Sequence, residues 1–426
     1  MAFDIPEDET IFHPENIAGV TAGGIDGDPT IWNERIYFSS LDHCVYCLDL
    51  YGKELWHFRT NGPVYGGPIV VDGILYVGSY DNYLYALDAE TGKERWRFRT
   101  GSYIHANPCI DKDIIYIGSC DNYVYAIDLN GRMLWRFRAG NIPGTVKIFK
   151  DKLIFSSCDR NFYCISRDGE ELWKFRTGGP AIMPNGPCIH KDTIYFSSTD
   201  LNLYALSPDG NKKWHFRSGD YIFTTPTVYD NVIYFGSCDH NLYALNLEGL
   251  TKWIFRTGDQ IIKSTPAIDN DILYFGSADN HLYALDTNGK MLWRFQANER
   301  VNTSPLIFNE KIFFGSHDCN FYCISKYGKI IWKFLTSIPT VMPRRMVVTP
   351  KDKLVAQIEF QKRMVELKPY ETLTFDEPTT ISYIGSRGLN AYEKLSAKDY
   401  KGFAERAEET AAKRKRIRDD FLFGRR

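Results

Sequence analysis

Eight of the nine tryptophans stand at almost constant intervals: Trp56, Trp96, Trp135, Trp173, Trp214, Trp253, Trp293 and Trp332, with gaps of 40, 39, 38, 41, 39, 40 and 39. Only Trp32 falls outside the series. A glycine lies four residues before each of the eight: Gly52, Gly92, Gly131, Gly169, Gly210, Gly249, Gly289 and Gly328. A phenylalanine follows two residues after each, from Phe58 to Phe334. A fixed period of this length restricts the chain to a repeat architecture in which every unit supplies one indole.

A second signature also recurs eight times, [GS]-S-x-D-x-x-apolar-Y-[AC]-[LI], as in GSYDNYLYAL from Gly78. Its aspartates are residues 42, 81, 121, 159, 200, 239, 279 and 318. Its tyrosines are residues 46, 85, 125, 163, 204, 243, 283 and 322. An apolar pair or triplet precedes it, and before that a short run opened by Pro29, Pro68, Pro108, Pro187, Pro226, Pro266 or Pro305. The fourth copy has Val146 in place of proline.

Each copy thus reads as four short strands divided by turn residues. Four strands per roughly 40 residues make the blade of a β-propeller. The expectation is an all-β, eight-bladed propeller with a C-terminal extension that ends in a helix. The post-proline strand suits the axis, because proline lacks the N–H that a ladder partner would need. The third strand is apolar on both faces and belongs between blades. The fourth alternates, with Trp and Phe on one face. Each Trp, stacked on a neighbouring blade, removes about 200 Å² from water. That is worth at most about 5 kcal/mol. The small Ala or Cys after each repeat Tyr leaves space for a ring from the next blade.

The second copy reads Ala86, Asp88, Thr91, Gly92 and Trp96 in the pattern A-x-D-x-x-T-G-x-x-x-W. The seventh has Ala284, Asp286, Gly289 and Trp293. This resembles the tryptophan-docking motif of quinoprotein-type propellers, and residues 27 to 337 resemble the pyrroloquinoline quinone-type repeat family. That family includes dehydrogenases and many propellers without a cofactor. The resemblance implies the propeller fold and leaves the activity open. Its enzymes hold a quinone with calcium, a tryptophan floor and often a disulfide of adjacent cysteines. This chain has no Cys-Cys pair, its periodic tryptophans are committed to blades, and no cofactor or metal is expected.

A catalytic group is needed once per site, so residues repeated eight times serve the fold. The repeat aspartates read as turn ligands accepting backbone N–H groups. The arginine after six of the eight repeat Phe residues (Arg59, Arg99, Arg138, Arg176, Arg217 and Arg256), with Gln296 and Leu335 breaking the series, reads as a solvated ladder of ion pairs. Most of the ten cysteines occupy slots where sibling blades carry Ala, Thr or Tyr, and behave as small buried residues. Their number as free thiols, and an acidic N-terminus without a signal-peptide pattern, suggest a cytoplasmic protein. No window is apolar enough to span a membrane.

Functional candidates are therefore the departures from the repeat. The loops before the prolines converge at the axis and carry Tyr65, His105, Asn107, Phe223, Lys263, Arg300 and Asn302. The fifth of these loops is longer and contains Met183. No catalytic residue can be assigned among them.

The other departure is the tail. The expected organisation is an N-terminal arm (1–26), the propeller (27–337), a β-rich or irregular extension (338–395) and a basic helix (396–426). The extension or the arm would cover the seam between the last and first blades. From residue 338 onward there are 19 Lys/Arg and 13 Asp/Glu, a net of +6; the remainder has 32 against 40, a net of −8. Lys413, Arg414, Lys415, Arg416 and Arg418 form a candidate contact for an acidic protein or RNA. The leading reading is a non-catalytic scaffold for protein partners. A small-ligand binder or enzyme using the axial funnel, and an RNA-associated factor, are the alternatives.

Overall fold

The computed structural model describes residues 23–140, 144–179 and 186–336. All of them lie in the first of two compact units, Met1–Met342. The extension from 338, the terminal helix, the basic cluster and Met183 lie outside the described residues. Within them the repeat becomes eight four-stranded antiparallel sheets, each with its strands in sequence order. In the second blade the strands are Ile69–Val71, Ile74–Gly78, Tyr83–Asp88 and Glu94–Arg99.

Local chemistry explains each strand. The innermost has only three residues in every blade, and a two-residue turn joins it to the second. In the first blade that turn is Asn33-Glu34, with φ of 48° and 59°, the left-handed pair that suits a tight hairpin. In the third strand, Leu84, Tyr85, Ala86 and Leu87 are all buried, because blades cover both faces. The fourth strand is the outer edge. There Trp96 and Phe98 are half-buried and the residues between them exposed.

The repeat tryptophans are half-buried, and the space for each indole lies over the next blade's turn glycine. A Cβ added to Gly92 would meet Trp56 Cδ2 at 2.6 Å, and one on Gly131 would meet Trp96 Cε3 at 2.8 Å. The same contact links all eight pairs. Each indole N–H also donates to a carbonyl of that turn, as Trp96 Nε1 does to Leu129 O at 2.8 Å and Trp253 Nε1 to Thr287 O at 2.9 Å. These glycines have φ between 70° and 85°, so they make the turn and also form the floor for a neighbour's ring. The repeat Ala or Cys does share the interblade core with the next Tyr, as Ala86 does with Tyr125.

The seam between the eighth and first blades is a joint of the same kind. Trp332 lies on Gly52 and donates to Leu50 O at 3.1 Å. Phe38 stacks on Phe321 with ring centres 4.1 Å apart. Ile25 N–H donates to Ser316 O at 3.1 Å, just as Ile104 N–H donates to Ser79 O between the second and third blades. Ile25 and Asp26, which the sequence reading leaves in an arm, are thus built into the ring. Every blade is complete, so closure borrows no strand.

The repeat aspartates serve the turns, with more partners than the sequence suggests. Asp239 Oδ1 accepts Asn241 N–H at 3.0 Å. Its Oδ2 accepts the Tyr243 hydroxyl at 2.5 Å and, from the preceding blade, Gly219 N–H at 2.7 Å. The hydroxyl bond recurs for all eight aspartates. Each aspartate therefore joins the core tyrosine of its blade to its turn, and most also reach back to the neighbouring blade. The expected arginine ladder is corrected. Arg59, Arg99, Arg138, Arg176, Arg217 and Arg256 are exposed, and none forms an ion pair with another described residue.

Candidate functional site

Among the described residues, the loops leading into six of the innermost strands each place one side chain toward the axis. It is the third residue before the proline: Asp26, Tyr65, His105, Phe223, Lys263 and Asn302. A second set comes from the x position of S-x-D, where Tyr80 and His317 stand. Strand geometry brings members of both sets together.

Asp26 is the hub. Its Oδ2 accepts Lys263 Nζ at 2.5 Å, and its Oδ1 lies 3.0 Å from His317 Nε2 and 3.4 Å from Asn302 Nδ2. A proton on His317 Nε2 follows from that facing carboxylate. The hub joins the first, seventh and eighth blades. On the other side the Lys263 ammonium sits 5.3 Å from the centre of the Tyr65 ring, a cation–π contact. Tyr65 stacks on Tyr80 at 4.5 Å, and Tyr80 meets Tyr103 in a tilted contact at 4.5 Å. Tyr80 Oη and His105 Nδ1 share a hydrogen bond of 2.8 Å.

The charges follow from this packing. Burial by itself pushes the Asp26 carboxyl up. The Lys263 ammonium and the His317 hydrogen bond outweigh it and hold the group well below the usual carboxylate range. Burial, aided by Lys263, depresses His105 to about 3. At neutral pH Asp26 is thus an anion facing the Lys263 ammonium, and His105 is a neutral imidazole. The buried Tyr65 Oη and Asn302 Oδ1 have no hydrogen-bond partner among the described residues.

Beneath the cluster runs a chain of hydrogen bonds between residues that directly precede the innermost strands. Gly67 N–H donates to Asn107 Oδ1 at 2.8 Å, and Asn107 N–H donates to Thr145 Oγ1 at 3.0 Å. Thr265 N–H donates to Ser304 Oγ at 3.0 Å, and Ser304 N–H donates to Asp28 Oδ1 at 2.6 Å. At these four joints a blade's amide is held by the next blade's side chain, so Asn107 serves the frame.

Of the seven axial candidates, Tyr65, His105, Asn107, Lys263 and Asn302 come together here. The Phe223 ring meets Tyr221 at 5.9 Å. The Arg300 carbonyl accepts His317 N–H at 3.0 Å. Asp26, His317 and Tyr80 belong to the cluster, and the sequence reading missed them. Counting three back from Pro29 would have found Asp26.

The enclosed space among Asp26, Asp28, Tyr65, His105, Asn107 and Lys263 is about 10 Å³, the volume of one water-sized sphere. A small-molecule site needs roughly 300 Å³ or more. The residues present do not fit a quinone. All eight periodic indoles are docked on glycines, and Trp32 lies against Gly73 in an inner-strand turn. Among the described residues no group of three or more His, Cys, Asp or Glu side chains could hold a metal ion.

Eight complete four-stranded blades, joined around the ring by the same indole–glycine contact, define an all-β, eight-bladed β-propeller. The family model described as outer membrane protein assembly factor BamB matches residues 41–157, 159–265 and 258–369. The chain belongs to that family of PQQ-type propeller repeats. Among solved structures, BamB from Moraxella catarrhalis is similar at 17% identity and a TM-score of 0.60, covering 69% of this chain and 92% of that one. The computationally designed Ika8 protein is similar at 15% identity and a TM-score of 0.63, covering 72% and 97%. No curated protein matches the chain significantly. At these identities the structural likeness concerns the fold alone.

Proposed function

We propose that this protein is a propeller scaffold that holds partner proteins on the outer surface of its disc. The observation that carries the reading is the condition of the axis. Its charged groups are spent on one another, and the space between them is that of a single water molecule. Among the described residues this cluster leaves no room for a substrate or cofactor, whereas a disc with differing loops and edges offers extended surface. Membership in a family described by an assembly factor supports the same reading. Ten free cysteines suit a reducing compartment.

The test is affinity purification of the full-length protein from its native cells, followed by cross-linking mass spectrometry. A stoichiometric protein partner cross-linked to the disc is the expected result. Recovery of the chain alone with a stoichiometric organic cofactor would overturn the reading.

A further inference from the structure

We propose that the outer edge of the seventh, eighth and first blades is the docking surface. Its partner is an extended protein segment that combines large apolar side chains with carboxylates. The assignment rests on the scaffold reading and names a surface and a chemistry for it.

The outermost strand of each propeller blade exposes a row of backbone groups, and edges of this kind are normally protected by charge. The two residues before the repeat Trp show this. They are Glu94-Arg95 in the second blade, Lys212-Lys213 in the fifth and Thr251-Lys252 in the sixth. On the proposed surface they are Met291-Leu292, Ile330-Ile331 and Glu54-Leu55. Ile330 is 51% exposed, Ile331 48%, and Leu292 46%. The adjoining hairpin tips add Tyr327 at 70% and Tyr51 at 83%.

Indole docking makes these residues neighbours across the blades. Trp293, beside Leu292, lies on Gly328, beside Tyr327; Trp332, beside Ile331, lies on Gly52, beside Tyr51. The result is one apolar belt over three consecutive blades. The third and fourth blades also expose Met133, Leu134 and Leu172, but their hairpin tips carry no tyrosine.

Charge selects the occupant. The strands and hairpins of the belt also carry Lys53, Lys290, Lys311, Lys329 and Lys333, while Lys326 is paired with Glu310. Carboxylates in the same stretches are engaged: Asp49 and Asp286 hold turn amides, Glu54 holds His57 and Glu310 holds Lys326. Lys311 and Lys326 lie over the rings of Tyr51 and Tyr327. An apolar strand edge that also carries ammonium groups fits a segment that adds main-chain hydrogen bonds and supplies carboxylates to those lysines.

The test uses full-length protein and a fluorescein-labelled octapeptide in which Glu alternates with Phe and Val, with a control in which Lys replaces Glu. Fluorescence anisotropy should show saturable binding of the Glu peptide and none of the Lys peptide. Binding should weaken about tenfold or more for Ile330→Ser/Ile331→Ser and for Lys329→Glu/Lys333→Glu, and stay unchanged for Lys213→Glu on the fifth blade. Circular dichroism confirms that each variant is folded, which exposed positions permit. Three results overturn the proposal: no binding by the parent protein, equal binding of both peptides, or retained affinity in both edge variants. Concentration-dependent dimerisation in sedimentation that the Ile330/Ile331 variant abolishes assigns the edge to a second copy, and also overturns it. Failure here leaves the scaffold reading standing, since native cross-linking tests that independently.

Discussion

Trp332, in the last blade, lies flat against the turn glycine of the first blade, Gly52. A Cβ at Gly52 would sit 2.7 Å from its indole ring. Residues 280 positions apart in the chain thus make the same contact as Trp253 and Gly289 within the ring. Substituting Gly52→Ala forces an L-residue into φ of 85° and drives a methyl into the indole. The expected cost is about 2–4 kcal/mol. Gly289→Ala should cost the same, measured by calorimetry. A silent Gly52→Ala would mean that the seam is not held by this joint.

The aspartate–tyrosine pair supports a second expectation. Tyr243→Phe removes a 2.5 Å hydrogen bond to Asp239, and burial with the facing carboxylate pushes that phenol up to about 12. It should cost about 1–3 kcal/mol. Asp239→Ala also strands the Asn241 and Gly219 amides and should cost more. In chemical denaturation the double variant should lose less than the sum of the two, because both act on one network. Strict additivity would contradict the shared role.

At the axis, Lys263→Met leaves Asp26 a buried anion without its ammonium. The expected loss is about 3–5 kcal/mol, and Asp26→Asn in the same chain should restore part of it. The pH sign is fixed by direction. The folded Asp26 group titrates below its unfolded value, so its contribution is present above about pH 4 and is lost as pH falls further. A Lys263→Met protein as stable as the parent at pH 7 would show that the pair is not buried in solution.

His105 gives a separate pH window. Its folded value, about 3, lies below the ordinary histidine value, so the unfolded chain binds the extra proton between them. Stability must therefore fall as pH drops below about 6.5, by about 1–2 kcal/mol at pH 5. Thermal melts of His105→Gln should show a shallower decline between pH 7 and 5 than the parent. Parallel declines would place the imidazole in water.

The frame is legible in the sequence because burial enforces it repeatedly. Trp56 to Trp332, the glycines four residues earlier and the S-x-D aspartates recur since every joint needs the same shapes. The second duty of Gly52 is hidden, because a turn alone already explains a glycine. The axial cluster is legible only in part. Tyr65, His105, Lys263 and Asn302 stand out as loop residues that differ between blades. Asp26 precedes the first Trp-bearing unit and reads as a terminal arm until it is counted from Pro29. Tyr80 and His317 occupy a slot where siblings carry Leu41, Cys120 or Ala278, so they read as filler. Their reach to the axis is set by strand tilt and interblade packing, which no local spacing encodes.

Native mass spectrometry of the full-length protein, purified gently from its own cells, tests the scaffold account most directly. The account predicts a complex whose extra mass is one or more whole polypeptides, released by raised salt or by substitutions on the outer edge. A chain carrying only a small organic molecule, lost on replacing Lys263 or His105, would contradict it.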